Sequence, residues 1–345
     1  MLPCFTQIKN NMITIKEIAQ RCGVSPSTVS KVIKDYPTIP EETKKKVRQV
    51  IEETGYVPNF AASSLSSGDY RNIGILGFLN DKESPLSNHL FMNILASFQK
   101  EITKHGYDLV FIDTQNNQTP KSFLMDCERK MVGGVLLFGN LYDAKMQEVM
   151  NSKIPCIGFD YEGENINSVY TKGGRALYQL TSYIIDSGHK NIIFVTGDMN
   201  SMTEKRIRGF TNAMKDHGLA LNDHSILNIS YGNIEQTEEI TEKIIKDYPE
   251  TTAIIYPDDV TAMVAMHKLR ELGKKVPKDV SVAGFDGAIF SKYLTHPLCT
   301  MKQDTNKIGI ALAKTLIETI KDPNGGRRIV EFDAELFKGK TVAKI

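Results

Sequence analysis

The 345-residue chain reads as a small all-α helix-turn-helix head followed by an α/β core of two doubly wound parallel-sheet subdomains. Three observations predict this. Short amphipathic helices with clear start and stop signals fill residues 13–56. From Asn72 onward, short apolar runs alternate with longer amphipathic ones, the texture of parallel strands joined by helices. That alternation comes in two blocks, so two similar subdomains with a crevice between them are expected.

The totals describe an ordinary globular protein, with 41% apolar and 24% charged residues. A formal net charge of +1 gives no global pull towards nucleic acid or membrane, so any basic function must be local. Five cysteines (Cys4, Cys22, Cys127, Cys156 and Cys299) are scattered without C-x-x-C spacing. They fit neither a disulfide framework nor a zinc site and suit a reducing cytoplasm. No apolar run approaches the roughly 18 residues that span a bilayer. The start, MLPCFTQIKNN, lacks the pattern of a secretory signal, so a cytoplasmic protein is expected. Residues 1–11 read either as a disordered extension or as sequence ahead of a true start at Met12.

In the head, Thr14-x-x-Glu17 is a capping box that opens a short helix carrying Ile15, Ile18 and Ala19 on one face. Gly23 ends it. Ser25 offers the next N-cap, and Pro26 falls at the first helical position, where its missing N–H costs nothing. In that second helix Val29, Val32 and Ile33 share one face, while Ser27, Lys31 and Lys34 share the other. A third helix, about Glu41 to Thr54, turns Val47, Val50 and Ile51 inward and stops at Gly55. Two helices about a glycine turn, the second with an exposed polar face, make a unit that reads the major groove of DNA. A lone polar helix face would more often be merely solvated. Here the capping box, the turn glycine, the third helix and the basic run Lys44, Lys45, Lys46 and Arg48 agree on nucleic acid.

Residues 58–69, PNFAASSLSSGD, form a small-residue linker in which Leu65 stands alone among alanines and serines. Beyond it the expected strands are IGILGF, YDLVFID, GGVLLFG and IPCIGFD, then NIIFVTG, HSILNI, TAIIYP and VSVAGFD. Asp160 ends IPCIGFD, Asp258 and Asp259 follow TAIIYP, and Asp286 ends VSVAGFD. In open α/β sheets ligands bind beyond the carboxyl ends of the strands, where these acids project. The bland reading makes them helix caps, and for Asp259, which precedes VTAMVAMHKLREL, that is the one expected.

The run ITIKEIAQRCGVSPSTVSKVIKD followed by IPEETKKKVRQVIEETGYVPN resembles the DNA-binding head of the lac and galactose repressor family of bacterial transcriptional regulators. SNHLF, HGYDL, RIRGF, YPDD, VSVAGFD and TMKQD stand in that family's order, and the likeness runs from Met12 to the C-terminus. The resemblance implies a head at 12–58, a hinge helix or linker at 59–71, and a core similar to periplasmic binding proteins. Its first subdomain would take 72–168 with 302–328, its second 169–301 with 329–345.

By position, the resemblance puts base reading on Pro26, Ser27 and Lys31, and phosphate contacts on Thr14, Ser25, Thr28, Ser30 and Asn59. Pro26 can donate nothing and Ser27 reaches only a short way, so Lys31 is the candidate for a guanine. The family commonly has arginine there, and lysine lacks its bidentate fork. In the hinge, Ala62 lets two copies approach and Leu65 would wedge between base steps in the minor groove. Ser63 stands where many relatives carry arginine.

The resemblance also implies an effector pocket made by Asn88, Asp160, Arg206, Asp258 and Asp286. Several carboxylates around one arginine suit the hydroxyls of a sugar. Departures reshape that pocket: Asp258-Asp259 replaces an Asn-Asp pair, Tyr170-Thr171 an Asp-Asn pair, and Gly287 a second acid. An aromatic platform is expected near Tyr231–Ile234. No P-loop, G-x-S-x-G, G-x-G-x-x-G or metal-spaced histidine pattern is present, so neither catalysis, cofactor nor metal is expected. The expectation is a homodimeric regulator, most simply a repressor, on a pseudo-palindromic operator. Its effector would be a small sugar; alternatives are a nucleobase or nucleoside, a protein co-regulator, or, further off, a sugar-binding or sugar-processing protein.

Overall fold

The computed structural model describes residues 13–33, 35–56, 70–78, 88–112, 122–163 and 165–345. Lys34 and the hinge positions Asn59, Ala62, Ser63 and Leu65 lie outside the described residues, as do 1–12. The chain divides into two compact units at Asp69/Tyr70.

The first unit contains α1 (Ile15–Cys22), α2 (Pro26–Ile33) and α3 (Glu41–Thr54). Both halves of the expected capping box form: Thr14 accepts from Glu17 N, and Glu17 accepts from Thr14 N. Gly23 closes α1 in the left-handed region, φ 67°, where a side chain would be strained. Ile18, Ala19, Cys22, Val29, Val32 and Val47 make a core that the three helices share. Each helix supplies too little apolar surface to stand alone, so the fold of the head rests on this cluster.

The second unit has two six-stranded sheets. The first holds β1 (Asn72–Phe78), β2 (Asp108–Phe111), β3 (Val132–Gly139), β4 (Cys156–Phe159), β5 (Asn167–Thr171) and β11 (Ile329–Phe332). Their order is β11-β5-β4-β3-β1-β2, all parallel. The second holds β6 (Ile192–Thr196), β7 (Ile226–Asn228), β8 (Ala253–Ile255), β9 (Ser281–Asp286), β10 (Cys299–Lys302) and β12 (Glu335–Phe337). Its order is β12-β10-β9-β8-β6-β7, with only β12 antiparallel. Consecutive strand residues such as Val135, Leu136 and Leu137 are all buried, so both faces are covered, as helices on each side of a parallel sheet require.

Two expected boundaries need correction. A cut at 168 falls inside β5, whose five residues all belong to the first sheet. Residues 329–332 also belong there rather than to the second lobe, because β11 pairs with β5 in parallel register. The chain therefore passes between lobes beyond Thr171, beyond Lys302 and beyond Phe332. These crossings are tied together. Lys172 N donates to Phe332 O at 2.8 Å, and the Thr171 hydroxyl donates to Gln303 Oε1.

Candidate functional site

On the head, the start of α2 is a cluster of hydroxyls. Ser25 Oγ accepts from Thr28 N at 3.1 Å and lies 2.7 Å from Ser27 Oγ and 2.9 Å from Thr28 Oγ1. The expected cap thus forms. Thr14, Ser25, Pro26, Ser27 and Lys31 are exposed, while Thr28 and Ser30 are half-buried. Thr14 is shared, since its hydroxyl also donates to Glu17 at 2.9 Å. Among the described residues Lys31 has no ion pair, so its ammonium is free to meet a base edge or phosphate.

The basic run on α3 is less uniform than its sequence suggests. Lys44 is only 6% exposed and bridges Asp35 at 3.2 Å and Glu41 at 2.9 Å. Arg48 reaches the same Asp35 carboxylate at 2.6 Å. Lys44 is therefore a strut between the turn after α2 and the start of α3, not a phosphate contact. Lys45 and Lys46 remain exposed. The spacing of Lys44 with Val47 and Ile51 on the inner face was the available signal.

In the core, charge gathers at the ends of β4, β8 and β9. Arg206, in the helix Ser201–Asp216, is 7% exposed. Its Nη1 donates to Pro257 O at 3.2 Å, with the Tyr231 hydroxyl at 3.5 Å. The guanidinium carbon sits 4.0 Å from the Phe285 ring centroid, a cation–π contact. Burial opposes its charge, but Tyr231, Asp160, Asp286 and Asp258 raise its pKa, so it stays protonated. Its Nε is buried without a hydrogen-bond partner among the described residues. A buried donor left without an acceptor is costly.

The acids differ from one another. Asp160 Oδ1 accepts from Thr171 N at 3.3 Å, and Asp286 Oδ1 accepts from Gln303 Nε2 at 2.8 Å. With the Thr171–Gln303 bond, these make one chain of hydrogen bonds from Asp160 to Asp286 through two of the lobe crossings. Both acids sit at positive φ, 51° and 101°, where non-glycine backbone is strained. Burial pushes Asp160 up to about 6 and Asp286 up to about 7, against the opposing pull of Arg206. Burial likewise raises Asp258.

The expectation for Asp259 is corrected. Asp258 is the N-cap of the helix Asp259–Glu271, accepting from Thr261 N at 2.8 Å. Asp259 is instead buried, accepting from Ala288 N at 2.6 Å and from the Thr300 hydroxyl at 2.6 Å. It pins the loop after β9 to β10. The backbone at Asp258 is extended, φ −152°, and helical phase starts only at Asp259, which moves the cap back one residue. Asn88 caps the helix His89–Thr103 through Phe91 N at 2.9 Å. No described contact joins it to the charged cluster. Gln303 and Phe285 were missed by sequence reasoning; TMKQD and GFD contain them, but only the fold shows which way they face.

A helix-turn-helix head with an exposed second helix, together with a two-lobed α/β core, defines a DNA-binding regulator. Comparison with known proteins agrees. The profile of bacterial regulatory proteins, lacI family, matches residues 14–59, and that of a periplasmic binding protein-like domain matches 181–342. The HTH-type transcriptional repressor PurR of Vibrio vulnificus (strain CMCP6) is 30% identical over 97% of this chain and 100% of its own. The lac repressor dimer bound to operator and the anti-inducer ONPF superposes with a TM-score of 0.79 at 21% identity, covering 96% and 99% of the two chains. A complex of the transcriptional regulator CelR with cellobiose gives 0.69 at 20% identity, over 95% and 99%. The chain belongs to the lacI family of bacterial regulatory proteins and is a DNA-binding transcriptional repressor, not an enzyme. Among the described residues no helix is long and apolar enough to cross a membrane.

Proposed function

We propose that this repressor acts in the cytoplasm as a homodimer on a pseudo-palindromic operator and answers to a small sugar held between its lobes. The observation that carries the sugar reading is the constellation of Arg206 with Asp160, Asp258 and Asp286. Carboxylates that accept and a guanidinium that donates match the paired hydroxyls and ring oxygen of an uncharged polyol. The cellobiose complex of CelR is consistent with a sugar in such a fold. In this reading Ser27 and Lys31 meet base edges, Thr14, Ser25, Thr28 and Ser30 meet phosphate, and the effector changes the angle between the lobes.

A second reading has its own support. Asp286 and Asp160, raised to about 7 and about 6, can donate as well as accept near neutrality. With the Tyr231 hydroxyl near Arg206, they suit the mixed edge of a nucleobase or nucleoside. Calorimetric titration of the purified protein with a panel of sugars and nucleobases separates the two. Saturable heat from a sugar alone supports the first reading, and heat from a nucleobase alone replaces it.

The dimer reading rests on exposed apolar side chains of the second lobe. Tyr293 is 81% exposed and Ile289 57%. The Asp259–Ala288 bond brings Val260, also exposed, to the same region. Solvent-facing apolar side chains gathered in this way mark a contact surface. Sedimentation of Ile289→Asp should give a monomer where the unaltered protein sediments as a dimer; an unchanged dimer would place the interface elsewhere.

A further inference from the structure

Beside the charged cluster, sharing Thr171 with it, a cavity of about 430 Å³ opens on the seam between the lobes. Among the described residues, its lining contains Lys172, Arg175, Lys205 and Arg208, against the one carboxylate of Glu331. The residues come from both lobes. Tyr170, Thr171 and Glu331 belong to β5 and β11 of the first sheet, whereas Arg175 lies in the helix Gly173–Asp186 and Lys205 and Arg208 in the helix Ser201–Asp216. We propose that this cavity binds a small phosphate-bearing anion, at a site that adjoins the effector cleft but is built on different charged groups.

Four cations converge on one cavity without four carboxylates in its wall. Of their present partners, Glu331 lies in the wall, while Asp333, Glu204 and Glu162 lie outside the lining. Arg175 meets Asp333 at 3.2 Å and Lys172 meets Glu331 at 3.5 Å, while Arg208 approaches Glu204 at 3.8 Å and Lys205 is paired with Glu162. The Arg175–Asp333 and Arg208–Glu204 pairs are more than half exposed on both sides, where such pairs contribute little and exchange readily. A phosphate group offers guanidiniums a better match, through bidentate charge-assisted hydrogen bonds. The Tyr170 hydroxyl, 2.5 Å from Glu331 Oε1, and the exposed Asn212 complete a polar wall.

The cavity floor adds backbone donors. The helix Gly173–Asp186 starts at Lys172 with no side-chain cap, and Gly174 lies in the lining. Uncapped first-turn N–H groups favour an anion, here beside the four cations rather than alone. The floor is also rigid. A Cβ at Gly209 would come within 2.0 Å of Gly174 O, and one at Gly174 within 2.8 Å of Lys205 O. Lys205 directly precedes Arg206, so an anion gripped here and an effector gripped in the cleft would share one helix crossing. Because the wall comes from both lobes, the bound anion should hold them at one angle.

The test uses the full chain in a phosphate-free buffer, titrated with inorganic phosphate and, separately, glycerol phosphate, with sodium chloride at matched ionic strength as background. Binding is followed by calorimetry and by the unfolding temperature. The expected result is saturable binding of one or both probes, weakened about tenfold or more in Arg175→Gln/Arg208→Gln, the loss that goes with removing charge-assisted hydrogen bonds. Operator binding without phosphate should be unchanged in that variant. Should the double variant fail to fold, Asn212→Asp, exposed and unpaired with any charge, brings a repelling carboxylate to the same wall and must weaken phosphate in the same direction. No saturable binding, or equal binding by wild type and variants, overturns the proposal. So does an acidic hexaglutamate peptide that binds where both phosphates fail.

Discussion

The head and the core solve recognition in opposite ways. The head keeps its apolar residues for a single shared cluster and displays short hydroxyls and one free ammonium at the surface of α2. The core hides its polar groups, gathering Arg206 and the acids of β4, β8 and β9 from positions up to 126 residues apart, the span from Asp160 to Asp286. A surface that reads DNA meets a partner already rich in charge and water, so it needs reach rather than enclosure. A pocket for a small ligand must supply nearly all of the ligand's surroundings, and burial there strengthens each polar contact.

The largest contrast should come from Arg206→Ala. Effector affinity is expected to fall about 10- to 150-fold, the value of about 1.5–3 kcal/mol for hydrogen bonds to a charged group. Effector-free operator binding should survive. Calorimetry with the identified effector and operator titrations check both halves; loss of operator binding alone would erase the division of labour.

Lys31→Ala should do the reverse, costing about 1–3 kcal/mol on the operator and relaxing preference at one base pair while leaving effector affinity alone. Lys45→Ala, by comparison, should weaken operator and random DNA alike. Equal losses on both DNAs for Lys31→Ala would remove it from base reading. A smaller effect is expected from Thr14→Ala, which breaks the capping box and should lower head stability by about 1 kcal/mol in denaturant titration. An unchanged midpoint would mean that the shared core alone sets the stability of α1.

The finest contrast is in pH. Hydrogen bonds from Thr14 lower the pKa of Glu17, and Lys44 lowers that of Asp35. The stability these head carboxylates give is present above the ordinary carboxylate range and is lost as pH falls through their lowered values. In the cleft the sign reverses. Burial holds Asp160 at about 6 and Asp286 at about 7, so their contribution is full below the ordinary carboxylate value and is lost as pH rises through about 6 to 7. Hydrogen exchange on the full chain, corrected for its intrinsic pH dependence, should show the cleft strands better protected at about pH 5 than at about pH 8. Protection that rises with pH in the cleft would mean that the acids are ionised and fully compensated.

The same contrast explains what the sequence made legible. Caps, turn glycines and helical periodicity are local, so α1, α2 and α3 could be drawn almost to the residue. Strands with apolar runs were equally plain, from IGILGF to VSVAGFD. β5 was not, because Asn167, Ser168 and Thr171 look like loop residues yet are buried, Asn167 donating to Thr319 Oγ1 at 2.6 Å. β10, β11 and β12 lie at the lobe crossings, where short strands of mixed polarity carry no period. The acids of the cleft could be named but not sorted. Whether Asp258 or Asp259 caps its helix depends on one residue of helical phase, and the burial of Asp259 depends on Ala288 and Thr300, which only the folded chain brings near.

Asp286 stands at φ 101° with its carboxylate held by Gln303, in a backbone geometry that glycine adopts freely and aspartate does not. The molecule thus carries a standing mechanical load at the place where the effector is proposed to bind. Asp286→Gly should relax that load and make the core harder to unfold by heat or denaturant, while effector response is lost. Selection for durability alone would favour the exchange, and selection for regulation would forbid it. A variant that gained stability and kept its response would show that Asp286 holds its strained shape for the crossing it braces through Gln303, with the ligand gripped by its neighbours.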